Sequence, residues 1–498
     1  MSQNRRTPCL ELLEHSLMEQ IIDESLEVLE RSGVFVENKE VTQLLEDAGM
    51  KVLRRDERGA VISITRSLVE EGLNTAPSSV KLYDRDGGDE SVITLGPQTD
   101  RVYFDPGSSA PYTFDYKLRT IRRPETQDLI DLAVVADALT HMDAQSTAMI
   151  PADVPAAVAD RYRLFLVLRN STKPVVTGTF DPEGLGVMQE MLAAVRGSAR
   201  ALKEKPMALF SICPSPPLKW SNLACHDIIH CARAHIPVEI IPAPLAGASA
   251  PITLAGSLVQ HTAETLSGIV IGQLAQPGAP VVYGGSPAVL DMRTGTTATG
   301  AVEAMMMCGA CSQIGRYLGL PTQAYMALSD AKQPDAQAGL ETGIGATLAG
   351  LCGTNLVSGP GMLAFESCQS LEKLVIDNET CGMVRRLIAG IDHRSRPLAE
   401  DLLRSGIHTG SGFLTSQTTM RWFRKEFFYP GSVIDRDSLN TRADEGGADA
   451  AQRAHREADR ILRSHAPPPL SPEIDNELLR LMRREARKHG MEHLPGEG

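Results

Sequence analysis

Aromatic side chains are scarce in this chain: only 4% of its 498 residues are Phe, Trp or Tyr. Several aromatics near one candidate site therefore carry more weight than usual. No run approaches eighteen consecutive apolar residues, so no segment is expected to span a membrane. A basic excess is missing too. Lys and Arg number 49 against 62 Asp and Glu, for a net charge of −13, which excludes a general nucleic-acid binder that needs a basic face. Paired cysteine spacing is absent: nine cysteines, an odd number at irregular intervals, exclude a disulfide framework and point to a reducing cytoplasm. Arg5 and Arg6 are not followed by an apolar leader core, because Glu11, Glu14 and Glu19 interrupt it. There is no G-x-G-x-x-G fingerprint after a first strand, no Walker loop and no G-x-S-x-G elbow, which removes the common dinucleotide, nucleotide and serine-hydrolase signatures.

What is present is a repeating architecture. Residues 1–124 read as a mixed α/β region. Amphipathic helices are expected over about 9–32 and 38–48, each closed by a glycine, Gly33 and Gly49. A strand over 61–64, a helix over 66–73 and short strands over 80–83, 92–95 and 101–104 follow. From about 125 to 437, short runs alternate with segments long enough to be crossover helices. The runs are 142–150, 174–179, 206–212, 237–241, 280–283, 321–328 and 354–357, with an eighth candidate around His408 to Leu414. Four begin at a proline (Pro174, Pro206, Pro237, Pro280), which a strand tolerates at its first residue. Eight such units predict an α/β protein of the TIM (β/α)8 barrel type; a doubly wound open sheet is the competing reading. Residues 438–498 are polar and predict two charged helices, about 448–464 and 472–489, on the exterior or at a subunit contact of a homo-oligomer.

The densest chemistry lies in Pro321 to Glu341. A short run breaks into a polar loop with Asp330 and Lys332, then becomes a small-residue helix that sets Gln337 and Glu341 four apart on one face. In a barrel this is a strand-to-helix junction, where active sites are built. A solvated loop with a capped helix is the plain alternative. The other expected mouth loops are rich in Pro, Gly and Ser and contain no histidine. They place carboxylates, Glu366 among them, near Tyr112, Phe210, Tyr283, Tyr325 and Phe365, a combination suited to a quaternary ammonium group. Two metal-like patterns, His226 with His230 and Cys308 with Cys311, fall within crossover helices, where packing is favoured over metal or redox use.

Several stretches together resemble the trimethylamine methyltransferase (MttB) superfamily. They are Val102-Tyr103-Phe104 with Ala110-Pro111-Tyr112, residues 122–126, 151–155 and 277–287, Asp291 to Thr296, Asp330 to Glu341, and Val375 to Glu379. The similarity spans about residues 10–480. It implies a barrel that moves a methyl group from a methylated amine to the Co(I) corrinoid of a separate corrinoid-binding protein, with no tightly bound cofactor or metal of its own. Members without pyrrolysine resemble glycine betaine methyltransferases. On that resemblance, Asp330 and Glu341 are the catalytic candidates. Tyr112, Phe210, Tyr283, Tyr325, Gln337, Phe365 and Glu366 are substrate-binding candidates, and Lys332 or Arg293 is available for a betaine carboxylate. The family's C-terminal histidines are replaced: Ser411-Gly412-Phe413-Leu414 and Gln417-Thr418 stand at the matching positions. The alternatives are a barrel hydrolase or lyase acting on a small polar substrate, or a silent ligand sensor.

Overall fold

A computed structural model describes residues 8–89, 92–406, 412–439 and 447–495. Its centre is built from eight short parallel strands, each followed by a helix. The strands are β1 (Tyr103–Asp105), β2 (Gln145–Ser146), β3 (Val175–Thr177), β4 (Ala208–Ile212), β5 (Val238–Ile240), β6 (Val281–Tyr283), β7 (Gln323–Ala324) and β8 (Leu356–Ser358). The helices that follow them are α1 (Thr126–Ala138), α2 (Ala159–Asn170), α3 (Pro182–Arg196), α4 (Asn222–Ala234), α5 (Leu254–Ala275), α6 (Val302–Tyr317), α7 (Ala336–Cys352) and α8 (Leu371–Ile388).

The strands form two parallel sheets, ordered β6-β5-β4-β3-β2 and β7-β8-β1. Backbone bonds also run between the sheets at both edges. Tyr283 N donates to Pro321 O at 2.8 Å, and Asp143 N donates to Phe104 O at 2.8 Å. The strand-opening prolines lack an N–H, yet their carbonyls are used: Pro174 accepts from Gln145, Pro237 from Phe210 and Pro280 from Val238. Strand alternation divides the core. Ala144, Val176, Leu209, Val282, Leu356 and Tyr103 share one apolar cluster with Val80, Leu82, Ile93 and Leu95 of an antiparallel hairpin. Both sheets contribute to that cluster. The alternate residues, Phe210 and Tyr283 among them, join the larger core with the helices.

All seven expected runs contain a parallel strand. The eighth does not come from the stretch around His408 to Leu414. Residues 407–411, with His408, lie outside the described residues, and Gly412 to Leu414 form a turn in which Phe413 and Leu414 are exposed. The eighth strand is β1, whose Tyr103, Phe104 and Asp105 are all buried, as a strand covered on both faces requires. A division at residue 124 would separate this strand from its sheet. Helix α5 carries apolar or small residues on most sides and is buried accordingly, covered outside by the helices His15–Arg31 and Arg66–Thr75. The two expected C-terminal helices are present as Ala450–Ser464, against α8 and α1, and Pro472–Lys488, against α3 and α2. Among the described residues no helix is long and apolar enough to cross a membrane.

Candidate functional site

A cavity of about 350 Å³ opens where the strands give way to their helices. Ser108 and Ser109 follow β1, Thr179 and Phe180 follow β3, Cys213 follows β4, and Ile241 and Ala243 follow β5. Ser286 follows β6, Tyr325 follows β7, and Glu366 closes the rim after β8. The volume suits a small molecule. Among the described residues, no lysine or arginine side chain lines it.

Each lining group is held by its own local structure. Arg163 on α2 is buried and reaches three loops at once. It donates to Ser109 Oγ at 3.0 Å, Thr147 O at 2.8 Å and Gly178 O at 3.4 Å. Its guanidinium carbon lies 4.4 Å from the Phe180 ring centroid, so the aromatic face is fixed beside the cavity. Burial pulls the Arg163 pKa down to about 10, so it stays charged at neutral pH. The Tyr325 hydroxyl shares a 2.8 Å hydrogen bond with Ser108 Oγ. Burial, then the Glu239 charge, hold the phenol well above its usual pKa.

Glu366 sits on a strained turn. Ala364, Phe365 and Glu366 have φ of 51°, 62° and 61°, three successive non-glycine residues in the left-handed region. That run aims the Glu366 carboxyl at Ser286, whose Oγ donates to it at 3.0 Å. Burial pushes the Glu366 pKa to about 7, and the neighbouring Asp330 charge adds to the effect. Asp227 of α4 also lines the cavity. It accepts from Thr179 Oγ1 and lies 3.1 Å from His226 Nδ1.

Two acids stand on the strands themselves, within electrostatic range of the lining residue Tyr325. Glu239 in β5 and Asp105 in β1 are each 0% exposed. Glu239 accepts from Ser211 Oγ at 2.6 Å, and Asp105 from Ser358 Oγ at 2.8 Å. The second oxygen of each, Glu239 Oε2 and Asp105 Oδ2, receives no hydrogen bond from the described protein groups. Desolvation lifts Glu239 to a pKa of about 7. Desolvation, and then the charge of Glu239, hold Asp105 well above the ordinary carboxylate range.

Of the residues expected from the sequence, Tyr325 and Glu366 line this cavity. Asp330, Glu341, Lys332, Gln337 and Phe365 gather beside it as a brace. Glu341 Oε2 accepts from Ser329 Oγ at 2.5 Å and Asp330 N at 2.8 Å, while Gln337 donates to Glu341 Oε1 at 2.9 Å. Asp330 accepts from Thr299 Oγ1 at 2.8 Å, and Gly300 packs so close that a Cβ there would lie 2.8 Å from Glu341 Oε2. The Lys332 ammonium caps the Phe365 ring at 3.7 Å, and Ala364 N donates to Ala331 O at 2.9 Å. The loop thus supports the strained turn that carries Glu366. Arg293 is exposed and paired with Asp291 at 2.7 Å.

Three expected residues lie elsewhere. Phe210 packs in the helix-side core, because Leu209 and Ser211 occupy the inward positions of β4. Tyr283 turns outward and shares a 3.0 Å hydrogen bond with Thr262 of α5. Tyr112 is 38% exposed under the Arg123 guanidinium. Asp105, Glu239 and Arg163 were not singled out from the sequence. The available signal was an acid inside an apolar run, Val238-Glu239-Ile240. Among the described residues no three metal-binding side chains gather: His226 stacks on His230 at 4.1 Å, and Cys308 and Cys311 are buried and free within α6.

A family model described as trimethylamine methyltransferase (MTTB) matches residues 2–490. A trimethylamine methyltransferase MttB of Desulfitobacterium hafniense (strain DSM 10664 / DCB-2) is 32% identical over 469 residues, covering 94% of this chain and 92% of the relative. A glycine betaine methyltransferase of Desulfitobacterium hafniense (strain Y51) is 31% identical over 488 residues, covering 97% and 99%. The crystal structure of the Methanosarcina barkeri monomethylamine methyltransferase (MtmB) has the same general fold, with a TM-score of 0.55 at 12% identity, covering 97% of this chain and 89% of that one.

Proposed function

The chain belongs to the trimethylamine methyltransferase (MTTB) family, and from that premise we propose that it takes a methyl group from a quaternary or tertiary methylated amine, betaine-like substrates included, and delivers it to the reduced corrinoid of a partner protein. The observation that carries this reading is the cavity at the strand ends: it is walled by Tyr325 and Phe180, edged by Glu366, and, among the described residues, lined by no basic side chain. Aromatic faces with one or two acids stabilise a methylated ammonium. Many ionised acids at once would hold the ground-state cation too firmly, because its charge disappears as the methyl leaves.

A cavity of about 350 Å³ suits a small amine and is too small for a corrin macrocycle. That fits an acceptor presented at the mouth by a separate protein. Such a corrinoid, in its Co(I) state, would supply the nucleophile for an in-line displacement. The rest falls to this chain's residues. Tyr325 and Phe180 orient the head, and the brace around Asp330 and Glu341 keeps Glu366 at the rim. Lys332 stands near enough to the rim to receive a carboxylate tail. A quaternary ammonium leaves as a neutral amine, so the step needs no proton donor, in keeping with a lining without histidine. We take the edge-to-edge backbone bonds between the two sheets to close a single (β/α)8 barrel, with the cavity at its C-terminal mouth. A cytoplasmic setting accords with nine free cysteines.

The test is methyl transfer from trimethylamine or glycine betaine to reduced cobalamin. Replacing Tyr325→Ala removes about 1–2 kcal/mol of cation–π and packing interaction and lowers kcat/KM by roughly tenfold or more. An unchanged kcat/KM in that variant contradicts the assignment of the cavity.

A further inference from the structure

Two fully buried carboxyl groups within electrostatic range of the cavity residue Tyr325, each with an oxygen that accepts no hydrogen bond from the described groups, are an expensive arrangement. Asp105 and Glu239 form no ion pair with any described residue. What they face is known from each neighbouring element. Ser358 of β8 donates to Asp105, and Ser211 of β4 donates to Glu239. Asp105 lies within electrostatic range of Glu239 and of Asp143, and Asp143 is already held by Arg385. Glu239 acts in turn on Tyr325 and Cys213, two groups of the cavity wall, and Glu366 acts on both of these from the rim. The positive charge of Arg163 acts on Tyr325, but its hydrogen bonds are spent on Ser109, Thr147 and Gly178. Within electrostatic range of the lining residue Tyr325 there is therefore a pair of acids that, among the described residues, has no resident cation.

Such a pair resists ionisation while no cation faces it and gives up a proton more readily when a positive charge arrives. We propose that Asp105 and Glu239 are the counter-charge for the cationic head of the ligand, and that a permanently charged ammonium is bound with displacement of one proton from this pair to solvent. The balance is simple: one cation enters, one proton leaves, and the net charge of the site is unchanged. This inference rests on the methylated-amine reading of the cavity and adds how that cavity selects charge over shape. An uncharged ligand of the same outline cannot displace the proton and gains nothing from the pair.

The experiment is calorimetric titration of the native protein with tetramethylammonium at pH 7, in phosphate and in Tris, whose ionisation enthalpies differ. A buffer-dependent heat corresponding to at least half a proton released per ligand is expected, together with loss of a protonated-carboxyl infrared band on ligand addition. Glu239→Gln should abolish the release and weaken binding at least tenfold; Asp105→Asn should do the same if it folds. Binding with no proton release and an unchanged carboxyl band would overturn the inference while leaving the functional reading intact. Failure of tetramethylammonium to bind the native protein would overturn both. Proton-linked binding without any methyl transfer would uphold the counter-charge pair and remove the proposed reaction.

Discussion

At the scale of single residues, the account turns on groups whose neighbours set their charge. Glu239 makes this measurable apart from any ligand. Its native pKa of about 7 lies above the ordinary 4.5, so between those values the folded state holds a proton that the unfolded chain has lost. Stability due to this group is fully present below pH 4.5 and is lost as pH rises through about 7. Relative to Glu239→Gln, the native protein should therefore lose on the order of 3 kcal/mol across that window. Denaturant unfolding of both proteins at pH 4.5 and pH 8 checks it; parallel pH profiles would show that Glu239 does not titrate this way. Tyr325 and Glu366 were legible in the sequence because each sits where a strand ends. Glu239 was harder to find because a strand's middle is expected to be inert, and Asp105 because β1, which it ends, was read with the N-terminal region. Phe210 and Tyr283 were misjudged for the opposite reason: a run marks a strand but not its inward face, and period-two alternation turned both outward.

Elements position these residues through close packing. Helix α5 approaches the sheet where Gly268 meets Trp220 and Ile240. A Cβ at 268 would lie 2.8 Å from the Trp220 ring and 3.1 Å from Ile240. Trp220 is 0% exposed and its indole N–H is fixed on Ser267 at 2.9 Å, so the ring has nowhere to move. Gly268→Ala should cost about 1–3 kcal/mol of stability, read as a lowered denaturant midpoint; an unchanged midpoint would mean that the helix can shift outward. The strained turn gives a contrasting expectation. Ala364→Gly relieves a left-handed φ of 51° but loosens the chain, so stability should change by less than about 1 kcal/mol. Activity should fall, because Glu366 loses its fixed aim. Equal kcat/KM in the two proteins would show that the turn's strain has no role at the site. The Pro321 to Glu341 loop was conspicuous in the sequence for its charges, yet these are held by hydroxyl, amide and backbone groups of the loop and its neighbours, and their contribution passes through the turn they brace.

At the scale of the molecule, seven of the eight parallel strands were visible as short apolar runs between helices. The eighth was expected as a short strand over 101–104 but was not counted with the other seven, because β1 precedes its helix by a long antiparallel excursion (Tyr112–Asp115 with Thr120–Arg122) that reads as part of a separate region. Sequence order alone does not reveal that Tyr103–Asp105 pairs with Leu356–Ser358, some 250 residues later, a long-range contact set by sheet topology. That pairing brings Asp105 within electrostatic range of Glu239. The whole account then reduces to whether this cavity gives up methyl groups from amines. Trimethylamine and glycine betaine carrying isotopically labelled N-methyl groups, incubated with the native protein and reduced cobalamin, provide the most direct measurement. The account predicts label on the cobalamin in proportion to dimethylamine or dimethylglycine formed, and little or none with Tyr325→Ala. Label transfer absent with both amines, or equal in native and variant protein, would contradict it.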